Sequence, residues 1–87
     1  MSNQHTAYIE FMSRGQVRGG YQWSTIRTTT KLHSMGYVCT QPYQGTLVQR
    51  VTFEGTREEI LHHRLVITNQ LKVMSGGKVP IRFHLIT

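Results

Sequence analysis

The chain contains no aspartate, and its acids are four glutamates: Glu10, Glu54, Glu58 and Glu59. Aspartate is the usual orienter of a catalytic histidine, and paired-carboxylate acid–base chemistry has few candidates left. There is one cysteine, Cys39. An internal disulfide is therefore excluded, and a reducing, cytoplasmic setting is expected. A zinc site needs about four ligands. One cysteine and scattered histidines do not supply them, so no metal and no cofactor is expected. Glu59 and His62 have the i, i+3 spacing of carboxylate-bridged metal sites, but those sites need a second helix of the same kind. No apolar run approaches a membrane span, and the residues from Met1 to Thr6 lack a signal-peptide pattern. No membrane partner is expected.

Positive charge is what the chain has instead. Ten lysines and arginines oppose the four acids, for a net charge of +6, and seven of the ten are arginine. Arginine presents a planar fork of donors suited to phosphate and carboxylate. Such a balance points to nucleic acid or to an acidic protein surface as partner. The 87 residues suit one domain and a modest core, which makes self-association into a homodimer a natural supplement. Residues 1–5 read as a flexible tail and residues 6–87 as the domain.

Thr6 to Met12 alternates as a strand, with Ala7, Ile9 and Phe11 on one face. A loop follows, Ser13-Arg14-Gly15-Gln16-Val17-Arg18-Gly19-Gly20-Tyr21-Gln22-Trp23, rich in arginine and glycine. A helix is predicted from about Gln22 to Met35, closed by Gly36 as its C′ residue. Ile26, Thr29, Leu32 and Gly36 share one of its faces, with His33 beside them. Trp23, Arg27 and Lys31 fall at i, i+4 and i+8 on another. Tyr37 to Gln41 and Thr46 to Glu54 read as a hairpin around Pro42-Tyr43-Gln44-Gly45.

Gly55-Thr56-Arg57-Glu58-Glu59 has the form of a capping box, with Thr56 as N-cap and Glu59 at N3. The helix it opens runs to about Met74. Ile60, Ile67, Leu71 and Met74 form its apolar face, which Leu61 and Leu65 widen. Val79 to Thr87 is the last strand, with Pro80 hinting at an edge position.

The resulting order, β-α-β-β-α-β, predicts an α+β ferredoxin-like domain: a four-stranded antiparallel sheet with two helices on one face. The covered face would hold Ala7, Ile9, Phe11, Val38, Thr40, Leu47, Val51, Phe53, Ile81, Phe83 and Leu85. The open face would hold Tyr8, Glu10, Met12, Tyr37, Cys39, Val48, Arg50, Thr52, Arg82, His84 and Ile86. Cys39 and His84 would share the open face, but no aspartate is available to orient the histidine. Strand packing is the expected role of Cys39, and no catalytic residue is assigned. Catalysis, if present, would be a small nuclease-like activity.

Ala7-Tyr8-Ile9-Glu10-Phe11-Met12 is similar to the first-strand motif of the RNA-recognition-motif family at Tyr8 alone. Arg50-Val51-Thr52-Phe53-Glu54 keeps the basic residue of that family's third-strand motif and lacks its two exposed aromatics. The sequence therefore does not place the chain in that family.

The loop also lacks the Walker pattern, which excludes a nucleotide triphosphatase of that type. The leading expectation is a small regulatory domain that binds nucleic-acid phosphates. Arg14, Arg18, Trp23, Arg27 and Lys31 would form a loop-and-helix contact, with Tyr8, Arg50, Arg82 and His84 of the open face as a second surface. The competing expectation is a phage or mobile-element module that inhibits a host complex, such as a defence system, by docking on an acidic surface.

Overall fold

Alternation along His5–Met12 makes β1, the strand that carries the sheet. Ala7, Ile9 and Phe11 are buried on one face. The computed structural model describes residues 4–12, 15–17, 21–23, 25–44, 48–75 and 80–87. After β1 come β2 (Gly15–Val17), β3 (Tyr21–Trp23), α1 (Thr25–Ser34), β4 (Cys39–Thr40), β5 (Val48–Gly55), α2 (Arg57–Ser75) and β6 (Ile81–Leu85). Four strands form one sheet in the order β4-β5-β1-β6. Each neighbouring pair is antiparallel. With two helices, the chain is of the α+β class.

The core lies between this sheet and the helices. Leu32 of α1 and Ile60, Ile67 and Leu71 of α2 are buried with Ala7, Ile9, Phe11, Val51 and Phe53. Each fully buried Val, Leu, Ile or Phe among them contributes about 1.5–3 kcal/mol. Of the predicted face of α2, Ile60, Ile67 and Leu71 pack with Met74 beside them, whereas Leu61 and Leu65 stay exposed.

The start of α2 and the end of α1 follow local chemistry. The Thr56 backbone N–H donates to Glu59 Oε1 at 3.0 Å, and the Glu59 N–H donates to Thr56 Oγ1 at 3.3 Å. This reciprocal pair is the capping box. Gly55 before it has φ +152°. α1 ends in a Schellman motif: Gly36 N–H donates to His33 O at 3.0 Å and Tyr37 N–H to Leu32 O at 2.9 Å. Gly36 takes φ +94°, the left-handed turn that glycine accepts without a Cβ clash.

Five expectations are corrected. The Arg/Gly stretch is not a plain loop, because β2 and β3 pair within it as a two-stranded hairpin. α1 begins at Thr25, so Gln22 and Trp23 belong to β3 and not to the helix. The inward face of α1 is Thr28 and Leu32, both fully buried, with Met35 packed beside them. Thr29, expected there, is only half-buried.

The alternation of residues 37–41 is also reversed. Cys39 pairs with Val51 and so faces the helices, while Thr40 pairs with Arg50. Tyr37 and Cys39 pack on the core, whereas Val38 is 63% exposed. The Schellman turn sets this direction. It ties Tyr37 back over Leu32, and the chain enters β4 with the opposite side chains inward. Leu85, expected to be covered, is 51% exposed at the end of β6. Leu47 lies outside the described residues.

Candidate functional site

Because side chains alternate along a strand, the residues between the buried ones must point to the uncovered face. Register brings Tyr8 of β1 opposite Thr52 of β5 and His84 of β6. It also brings Glu10 opposite Arg50 on one side and Arg82 on the other. The sequence-predicted set Tyr8, Arg50, Arg82 and His84 therefore meets on one surface.

Its centre is an aromatic and cationic layer. The His84 ring stacks on the Tyr8 ring, with centroids 5.0 Å apart and planes at 29°. The Arg50 guanidinium lies 4.1 Å from the Tyr8 centroid, within cation–π range. Tyr43, from the β4–β5 connection, closes the layer at 5.9 Å from the same guanidinium.

Arg50 is held in place by Glu10. Its Nη2 donates to Glu10 Oε1 at 2.6 Å and its Nε at 3.1 Å. The Tyr43 hydroxyl donates to the same oxygen at 3.3 Å. The hydrogen bond to Glu10 raises the already high pKa of Arg50, with the Glu10 charge adding to it. Glu10 thus sits on the open face as expected but is nearly buried beneath its partners. Arg50 is committed to an internal ion pair. Arg82 and His84 remain exposed. The layer can offer an imidazole face for stacking and the Arg82 guanidinium for an anion.

The other predicted residues fall elsewhere. Arg27 and Lys31 are exposed on α1, in the layer on the opposite side of the sheet. Trp23 is in β3, which touches α2. The expected helical stripe of Trp23, Arg27 and Lys31 does not form, since a strand residue cannot continue a helix face. Arg14 and Arg18 lie outside the described residues.

Two features were not anticipated. The Tyr37 hydroxyl and His63 Nδ1 are 2.6 Å apart, with the His63 ring against Phe53. The second is an apolar margin beside β6, formed by Leu61, Leu65 and Leu85, all more than half exposed. The sequence signal for it was the excess width of the α2 apolar stripe.

Among the described residues, no three His, Cys or Glu side chains gather as a metal site would require. No described helix is long and apolar enough to cross a membrane. Comparison with protein-family models, with curated proteins and with solved structures finds no match to this chain.

Proposed function

We propose that the chain is a small nucleic-acid-binding domain of ferredoxin-like arrangement, with the open sheet face as its contact surface. With the β2–β3 hairpin set aside as an insertion, the elements run β-α-β-β-α-β, and the order β4-β5-β1-β6 keeps the first and third sheet strands central. That supports the ferredoxin-like reading.

The observation that carries the functional reading is the His84–Tyr8–Arg50 stack, flanked by exposed Arg82. Single strands bind sheet platforms by stacking bases on rings and placing phosphates on cations. In this reading His84 takes a base, Arg82 takes a phosphate, and Tyr8 supports His84 from below. Arg50, tied to Glu10, sets the position of Tyr8. The net charge of +6 supplies long-range attraction.

The test is fluorescence anisotropy with labelled single-stranded DNA, single-stranded RNA and duplex DNA at low and at physiological salt. Single strands should bind best, with affinity falling steeply as salt rises. Absence of binding to all three at low salt would end this reading.

A further inference from the structure

We infer that the outer edge of β6 is a docking site for an acidic, alternating strand of a protein partner. This rests on the sheet edge and not on the nucleic-acid reading.

The sheet order leaves β6 at an edge. Its hydrogen-bonding direction follows from one observed bond, Ile86 N–H to Thr6 O at 2.8 Å. Antiparallel ladders alternate between paired and outward-facing residues. Ile86, His84 and Arg82 therefore turn their backbone toward β1. Ile81, Phe83 and Leu85 turn their N–H and C=O groups outward, where no described strand meets them. Such an edge is a template for an added strand.

The side chains around the edge define what fits. On the helix side lies an apolar shelf of Leu61, Leu65 and Leu85, with Phe83 behind it. Arg57 borders the hollow lined by Leu61, Phe83 and Leu85. Arg64 lies over the Phe83 ring at 4.3 Å. On the open side stand Arg82 and His84. Arg57, Arg64 and Arg82 are all exposed, as is Glu58 in the first turn of α2. A strand with apolar residues toward the shelf and glutamates toward Arg82 and His84 complements both sides at once.

Charge also argues against a second copy as the occupant. Antiparallel self-pairing centred on Phe83 would put Arg82 opposite His84 of the other chain. It would also bring two +6 molecules together.

The experiment uses the whole chain and a synthetic peptide, Glu-Val-Glu-Leu-Glu-Val-Glu, with a lysine-for-glutamate counterpart as control. Amide hydrogen exchange is read by NMR, and affinity by anisotropy. The acidic peptide should protect the amides of Ile81, Phe83 and Leu85, and the lysine peptide should not. Leu85→Pro removes an outward donor without removing a β1–β6 bond, so it should abolish the protection. Arg82→Glu, which leaves the backbone edge intact, should lose the acidic peptide and gain the lysine one.

Equal binding of both peptides, or acidic-peptide binding that leaves these three amides unprotected, overturns the inference. So does light scattering that reports a dimer which Leu85→Pro converts to monomer, since the edge would then belong to a second copy.

Discussion

The Arg50 guanidinium lies 4.1 Å from the centre of the Tyr8 ring while its Nη2 donates to Glu10. One cation thus links a ring and a nearly buried carboxylate across two strands. Removing a single partner of such a pair leaves a charge poorly compensated, whereas removing both costs less. Arg50→Ala should therefore lower the urea midpoint clearly. The double variant Glu10→Leu with Arg50→Met should sit closer to wild type than Arg50→Ala alone. Equal midpoints for Arg50→Ala and wild type would show that the pair does not support the sheet.

Gly55 joins β5 to α2 with φ +152°. A Cβ added there would meet the Glu59 Cβ at 2.9 Å. That atom is fixed to the helix backbone and cannot swing away. Gly55→Ala must strain the backbone or shift the first turn of α2, at a cost of about 2 kcal/mol. Chemical denaturation should report this loss, and Gly36→Ala offers a contrast. No atom lies within 4 Å of a Cβ at Gly36, so its cost comes from φ +94° alone.

The capping box gives a pH signature. The Thr56 N–H bond, then the Thr56 hydroxyl and the nearby His63, hold the Glu59 carboxyl below its ordinary range. A depressed folded-state pKa stabilises the fold above the unfolded value, about 4.3, and that stability is lost as pH falls through the folded value. Glu59→Gln should therefore be less stable than wild type at pH 7, with the gap closing in acid. Thr56→Ala should cost about 1 kcal/mol at neutral pH. A Glu59→Gln gap that stays constant down to pH 2 would rule out the linkage.

The pattern of legible and illegible elements has a physical cause. α2 could be read because its start has a two-residue reciprocal signature and its apolar face repeats over about four turns. β1 and β5 could be read because strict alternation survives wherever one face is buried. Residues 37–41 could not, since a strand two residues long holds too little alternation to fix its own direction. Its phase came from the Gly36 turn, which ties Tyr37 to Leu32. The β2–β3 hairpin was hidden by its glycines, which are read as loop more readily than as strand. On the open face, the sequence placed Tyr8, Arg50, Arg82 and His84 together. It could not show that Glu10 would engage Arg50 and leave Arg82 exposed, because the sheet register offers both arginines to the same carboxylate.

Partial burial of Tyr37 and Cys39 leads to an alkaline prediction. Burial pushes the Cys39 thiol up to about 11 and raises the Tyr37 phenol. For both, the folded chain keeps a proton that the unfolded chain releases more readily. Their contribution is complete below the unfolded values, about 8.5 for cysteine and 10 for tyrosine, and is lost as pH rises through the folded values. Thermal stability should therefore decline above about pH 8.5, and less so in Cys39→Ser. Tyr37→Phe should flatten the decline above about pH 10 and cost about 1 kcal/mol at neutral pH through the lost bond to His63. Alkylation of Cys39 at pH 8 should be slow in the folded chain and fast in urea. Rapid labelling of the folded chain would contradict a thiol shielded by the core.

The sheet separates the described basic residues into two groups, and salt dependence can tell which one touches nucleic acid. Each phosphate contact contributes about 0.7 to the slope of log affinity against log salt for a single strand. If the open face is the contact surface, Arg82→Ala should reduce the slope by roughly one contact. His84→Ala should weaken binding with little change in slope, because stacking is not a counterion-release event. Arg27→Ala with Lys31→Ala, on the far side of the sheet, should leave the slope nearly unchanged. The opposite result, a slope lost with Arg27 and Lys31 and kept without Arg82, would move the contact surface to the helix layer.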